Sequence, residues 1–169
     1  MKLDYVKLRD EVKDLEFATN HSACFDIRSN FTKELDGYSG HNLRKIYTPE
    51  NIENKMGILL TPGERLKVPT GIVFNIPEGY SVRLHPRSGN AYKHGLRLAN
   101  GEGVIDADYH LETFIIVHNT SYGNVWVYDD ERICQGELQK VLDYQLDIVY
   151  NVHEHDSVRI GGFGSTGTE

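Results

Sequence analysis

Apolar and polar residues alternate along much of this chain. Leu142, Tyr144, Leu146, Ile148 and Tyr150 are separated by mostly polar partners, the two-residue period of a strand with one buried face. Tyr80, Val82 and Leu84 repeat that pattern, and Leu66 and Val68 follow it more briefly up to Pro69. Phe114, Ile115, Ile116 and Val117 form an unbroken apolar run, which predicts a strand covered on both faces. Val125, Trp126, Val127 and Tyr128 predict a further short strand. Turn signals separate them: Thr61-Pro62-Gly63-Glu64, Pro77-Glu78-Gly79, Tyr122-Gly123-Asn124 and Tyr128-Asp129-Asp130. Strands this short and this often interrupted predict an all-β sandwich, jelly roll or barrel.

Two stretches leave the pattern. Residues 33–57 are polar and irregular and read as a surface insertion. Within them Thr48 as N-cap, Pro49 in the first turn and Gly57 as a stop predict a short helix. The second is bounded by Ser88, a good N-cap, and Gly95, a good residue to follow a helix, so 89–94 are predicted to form one or two turns. Beyond Arg159 the chain reads Gly161-Gly162-Phe163-Gly164-Ser165-Thr166-Gly167, too rich in glycine for a regular element. The predicted organisation is one domain over 1–158 and a flexible tail over 159–169.

Composition narrows the function. With 169 residues the chain is long enough for a real core. A formal net charge of −7 argues against a duplex nucleic acid as partner, which calls for a basic face. A small phosphorylated substrate needs only local basic groups. No apolar run approaches the ~20 residues of a membrane span, and Met1-Lys2-Leu3-Asp4 opens no secretory signal. Two cysteines, Cys24 and Cys134, make no disulfide framework. The expectation is a cytoplasmic protein with reduced thiols and no membrane partner.

The candidate chemistry centres on Gly103-Val104-Ile105-Asp106-Ala107-Asp108-Tyr109-His110. In an extended segment Asp106 and Asp108 point to opposite faces, so one can face a cleft. A carboxylate beside bound phosphates can take a proton from water and make it a nucleophile, and a divalent cation offsets the repulsion between the two. Asp26 is a candidate to hold that cation through its water shell. Pro86-Arg87-Ser88-Gly89 can surround a phosphate with helix-start N–H groups, a hydroxyl and a guanidinium. Tyr109 can lie flat on a sugar and leave no room for a 2′-hydroxyl. Phe163 can stack on a base while glycine amides, Ser165 and Thr166 wrap phosphates. His153-Glu154-His155 lacks a third ligand nearby and is read as surface histidines, and Cys24 has no partners for a nucleophile's role. Asp129-Asp130-Glu131 is read as a solvated turn.

Taken in order, these segments resemble the five motifs of the trimeric dUTPase family. Residues 18–29 with Asp26 are similar to the first and 86–95 to the second. Residues 100–109 are similar to the third, Arg132-Ile133-Cys134-Gln135 to the fourth and 162–167 to the fifth. The resemblance implies a jelly-roll subunit with one short helix, a homotrimer with shared active sites, and hydrolysis of dUTP to dUMP and pyrophosphate with Mg2+. By position it implies that Asp106 activates the attacking water and that Asp26 meets the metal through water. It assigns base reading to Asn100, Gly103 and Ile105, deoxyribose support to Tyr109, and phosphate binding to Arg87, Ser88, Gly89 and Gln135. Phe163, with Gly164, Ser165 and Thr166, would close the site from a neighbouring subunit.

Several residues depart from the family pattern. Arg159 lies one residue closer to Phe163 than the family's γ-phosphate clamp, with Val158 at the usual place. His110 and Leu111 replace an arginine and a glycine, and Gly136-Glu137 follow Gln135 where apolar residues are usual. Such changes suit a divergent, viral type of member. A related deaminase would need a glutamate where Ile116 stands. Three readings remain: dUTP hydrolysis, the same chemistry on dCTP or a 5-modified deoxyuridine triphosphate, and a dUTPase-like interaction protein whose 33–57 insertion takes a protein partner.

Overall fold

The computed structural model describes residues 1–151. In chain order the strands are β1 (Asp4–Lys7), β2 (Glu16–Phe17), β3 (Phe25–Arg28), β4 (Leu35–Tyr38), β5 (Arg44–Tyr47), β6 (Glu50–Ile52), β7 (Lys55–Leu60), β8 (Arg65–Pro69), β9 (Ile72–Asn75) and β10 (Tyr80–Pro86). The helix α1 (Ser88–His94) follows, then β11 (Leu96–Leu98), β12 (Gly103–Ile105), β13 (Phe114–Asn119), β14 (Val125–Tyr128) and β15 (Arg132–Lys140). One five-stranded sheet runs β12-β10-β15-β3-β2 and the other β11-β13-β8-β4-β5. Pairs β1-β9 and the three strands β14-β7-β6 complete the structure, and every pairing is antiparallel. Ile27, Val82 and Leu84 from the first large sheet join Leu66, Val68, Ile115 and Val117 from the second in one buried cluster.

Strand β10 organises the molecule. Its alternating Val82 and Leu84 are buried, and it lies between β12 and β15, with Val82 opposite both Ile105 and Leu138. Ile115 and Val117 of β13 are buried, but Ile116 is 42% exposed. The strand expected to be covered on both faces therefore has one open face.

Residues 33–57 are not an irregular insertion. They supply β4, β5, β6 and the start of β7, and β4 pairs with β8 of the main sheet. Leu35 and Tyr47 belong to the core. Buried Glu64 accepts hydrogen bonds from Lys45 Nζ and from the Thr61 N–H, both at 2.8 Å. Burial alone would raise the Glu64 carboxyl, but those two donors hold it below its ordinary value. The hairpin tip, with Leu43 and Ile46, stays exposed, as does the turn 53–56. The helix expected from Thr48 to Gly57 is absent. Glu53 and Asn54 have φ of 50° and 70°, a two-residue turn of the type that fits strand twist, and it joins β6 to β7. A helix so short cannot offset its own nucleation cost, whereas strand pairing satisfies the same backbone at once.

The alternating stretch 142–150 also departs from expectation. Val141 donates its N–H to Gly79 O at 2.8 Å, after which no strand pairing continues and Leu142, Leu146, Ile148 and Tyr150 are exposed. A strand pattern without a neighbouring strand leaves its backbone unpaired.

Candidate functional site

The candidate residues gather at the two ends of β10. At its C-terminal end the register sets Gln135 opposite both His85 and Asp26, so the first, second and fourth motif segments meet there. Asp26 lies between two guanidiniums: Arg87 Nε is 3.1 Å from Oδ1 and Arg132 Nη1 3.1 Å from Oδ2. Arg87 Nη1 also donates to Arg132 O at 3.0 Å, and Asn90 Nδ2 to the same carbonyl at 3.3 Å. Gln135 Nε2 donates to Pro86 O at 3.1 Å. Two arginines against one carboxylate leave this end positive, an environment for an anion. Sequence reasoning passed over Arg132 as a contact of Asp26, because nothing in the chain order signals a bridge across β15 and β3.

Helix α1 begins at this end. Arg87, not Ser88, holds the N-cap position in extended conformation, with no side chain capping the helix. Ser88 is the first helical residue, and the first N–H groups stay open toward solvent beside exposed Ser88 and Gly89. A Cβ on Gly89 would meet nothing within 4 Å, so the approach is clear. Gly95 ends the helix as expected, at φ 66°.

The other end carries β12 and the third motif. Strand β12 is the free edge of one large sheet and β11 the free edge of the other. The turn between them is closed by Gly101 N–H to Leu98 O at 3.2 Å and Glu102 N–H to Asn100 O at 2.8 Å. Between the two edges lies a cleft of about 90 Å3 whose walls include Asn100, Gly103, Ile105 and Ile116. A Cβ on Gly103 would sit 3.0 Å from the Leu84 side chain, so glycine spares the wall a tight contact there. Asp106 follows directly. It and Asp108 do not face opposite sides of a strand: both are exposed in a turn closed by Tyr109 N–H to Asp106 O at 3.1 Å. Half-buried Tyr109 donates its hydroxyl to Glu112 O at 3.0 Å.

These two ends do not meet within one chain. Ile105 is opposite Val82, so Asp106 falls near Ser81, six residues from Arg87, or about 20 Å along a strand. The resemblance assigned both groups to an active site shared between subunits. The register separates them, a fact invisible without the pairing of β10.

A family model described as dUTPase matches residues 52–167. The chain belongs to the dUTPase family. A deoxyuridine 5'-triphosphate nucleotidohydrolase of Fusobacterium nucleatum is 41% identical over 99% of this chain and 99% of its own. A mutant dUTPase of Staphylococcus bacteriophage 80alpha, solved with dUpNHpp, superposes with TM-score 0.75 at 21% identity, covering 98% of both chains. A mutant dUTPase from phage phi11 of S. aureus, solved for the coordination of a structural Mg(II) ion, gives TM-score 0.69 at 19% identity over 91% of this chain and 100% of that one. The all-β class read from the strand pattern, and the jelly roll implied by the resemblance, match the fold of these neighbours.

Other expectations divide. Asp129-Asp130-Glu131 is a turn with Asp130 exposed, as expected, but it is also tied to the first motif, since Ser29 donates its N–H to Glu131 O at 2.9 Å and Arg28 Nη1 donates to Asp130 O at 2.6 Å. Asp129 Oδ1 accepts from the Phe31 N–H at 2.7 Å and Glu131 Oε2 from the Tyr128 N–H at 2.9 Å. Both cysteines are unpaired thiols. Burial pushes Cys134 up to about 12 and raises Cys24, with Glu137 adding to the latter, so neither is primed as a nucleophile. Among the described residues no group of three or more His, Cys, Asp or Glu could hold a metal, and no helix is long and apolar enough to cross a membrane. Arg159, Phe163, Gly164, Ser165, Thr166 and the His153-Glu154-His155 run lie outside the described residues.

Proposed function

We propose that this chain is a dUTP diphosphatase, hydrolysing dUTP to dUMP and pyrophosphate with Mg2+ in a homotrimer with shared sites. The observation that carries the reading is the cleft between the free edges of β11 and β12, with Asp106 at the end of its wall. Uracil presents an acceptor–donor–acceptor edge, which unpaired strand backbone can match much as a neighbouring strand would. Asn100, Gly103 and Ile105 form that wall. Tyr109, braced through its hydroxyl, supports the deoxyribose and excludes a 2′-hydroxyl. Asp106 takes a proton from a water. That water attacks the α-phosphorus, and the bond to the bridging oxygen breaks as pyrophosphate departs.

The phosphates need the opposite end of β10. Arg87, Ser88, Gly89 and the open N–H groups of α1 suit an anion, with Gln135 fixing the Pro86 carbonyl beside them. Since Asp106 and this cradle are about 20 Å apart on one chain, a triphosphate touching both takes them from different protomers. The tail, through Arg159, Phe163, Gly164, Ser165 and Thr166, then closes the site from a neighbour. Each Asp26 oxygen already accepts from an arginine yet retains a lone pair for a water. Asp26 therefore fits a Mg2+ water shell delivered with the triphosphate, and not a direct metal ligand. When bound, the ion neutralises phosphate charge. Two unpaired cysteines suit a cytoplasmic setting.

The test is pyrophosphate release from dUTP, dCTP, dTTP, UTP and 5-hydroxymethyl-dUTP with Mg2+, beside Asp106→Asn. Turnover of dUTP alone, lost in the variant, is the expected result. Turnover of another base would move the specificity, and no release from any of them would overturn the reading.

A further inference from the structure

One polar network plays no part in the reaction as described, yet it ends on the third motif. Arg9 lies just beyond β1, half-buried. Its Nη2 donates to Glu112 Oε1 at 2.8 Å, and its Nε donates to Asn30 Oδ1. The same Glu112 Oε1 accepts the Gly71 N–H at 2.7 Å. Gly71 O in turn accepts the Leu8 N–H at 2.8 Å, and Asn30 N–H donates to Pro69 O at 2.8 Å. The side chains of Arg9 and Glu112 are 25% and 17% exposed, so the pair is shielded more than a surface ion pair. From Glu112 the chain returns to the reaction through its carbonyl, which holds the Tyr109 hydroxyl at 3.0 Å, while the next residue, Thr113, anchors the loop end by donating its N–H to Ile72 O at 2.8 Å.

The loop 106–112 is thus pinned at its far end by one carboxylate. That carboxylate is held by an arginine from the N-terminal segment and by the backbone of a turn. At the loop's near end Asp106 and Asp108 are exposed, and that end is held by the packing of Ala107 on the core and by its own turn bond, with no ion pair like that of Glu112. We propose that Arg9 and Glu112 are a positioning pair that sets the height of the Tyr109 ring, and with it the discrimination between deoxyribose and ribose. This rests on the deoxynucleotide reading given above. Neither residue touches substrate. Each acts through Tyr109, whose hydroxyl is held by the Glu112 carbonyl. A ring displaced by about 1 Å opens room for a 2′-hydroxyl and weakens alignment of the attacked phosphorus, errors that cost up to ~100-fold in rate.

The experiment compares wild type, Arg9→Lys, Arg9→Met and Glu112→Gln. Three quantities are read: kcat and KM for dUTP and for UTP, Tm, and amide exchange over 103–113. Arg9→Met is expected to lower the dUTP-over-UTP ratio of kcat/KM by roughly 10-fold or more, with faster exchange in the loop. Arg9→Lys keeps the bond to Glu112 and is expected to retain most of the selectivity. A purely structural brace would lower Tm and leave the ratio untouched, and that result overturns the proposal, as does an unchanged ratio with unchanged Tm. If Glu112→Gln fails to fold, Arg9→Met tests the same contact from its more exposed side. If the wild-type chain hydrolyses no nucleotide, the functional reading has failed. The exchange data then decide the positioning role alone: a loop as protected in Arg9→Met as in wild type would overturn it.

Discussion

Substituting Gly71 by alanine probes the packing beneath the third motif with two independent penalties. Gly71 has φ 70°, where a side chain costs roughly 1–2 kcal/mol. Its new Cβ would lie 2.3 Å from Val12 Cγ2, 3.0 Å from Arg9 Nη2 and 3.1 Å from Asn30 Oδ1. Carbon atoms rest at about 3.5–4.0 Å, so the Val12 methyl has to move by more than an ångström. Val12 is 5% exposed and, being β-branched, has few rotamers to escape into. Its N–H is also tied to Arg9 O at 3.2 Å. Overpacking of this kind costs about 1–3 kcal/mol, giving a total of about 2–5 kcal/mol. For a chain of this size each kcal/mol lowers Tm by about 2–4 °C, so Gly71→Ala is expected to melt roughly 4–20 °C lower. Calorimetry at matched protein concentration checks this, because assembly makes Tm depend on concentration. A drop below about 2 °C would refute both the strained backbone and the packed Val12 contact.

Acid provides another check. Glu64 is held below its ordinary value, so its pairing stabilises the fold above the unfolded glutamate pKa of about 4.3 and is lost as pH falls through the lower folded value. Lys45→Met should flatten that acid limb in melts from pH 7 to 3. The same variant leaves a buried carboxylate with only the Thr61 N–H as partner and should cost about 1–3 kcal/mol at pH 7, less than a fully buried pair because Lys45 is half exposed. Removing 33–57 should unfold the protein rather than trim a loop, since Leu35, Tyr47 and the Lys45 contact go with it. A soluble deletion variant with wild-type Tm would contradict that.

The strands whose apolar residues face the core were legible from their period. Val82 and Leu84, or Leu66 and Val68, alternate because one face of each strand is buried. Residues 142–150 carry the same period without a strand, since alternation reports a face and not the neighbour that must pair with it. The turn at Glu53-Asn54 was missed because its positive φ is borne by residues weaker in that role than Asn-Gly. Among site residues, Asp26, Arg87 and Gln135 were found by motif order and do converge. The contacts Arg132–Asp26, Arg9–Glu112 and Arg9–Asn30 were not foreseen, although Arg132 itself opens the fourth motif, because they cross 106, 103 and 21 positions of sequence. Composition and spacing carry no trace of such long-range pairs.

The length of β10 has a genetic consequence. With Asp106 beside one end and Arg87 at the other, each chain in the shared-site reading serves two sites by halves, and a copy defective in both halves spoils both. Conversely, two inactive versions, Asp106→Asn and Arg87→Ala, complement each other when co-assembled. Random mixing leaves roughly a quarter of the sites with both halves intact, while either version alone has none.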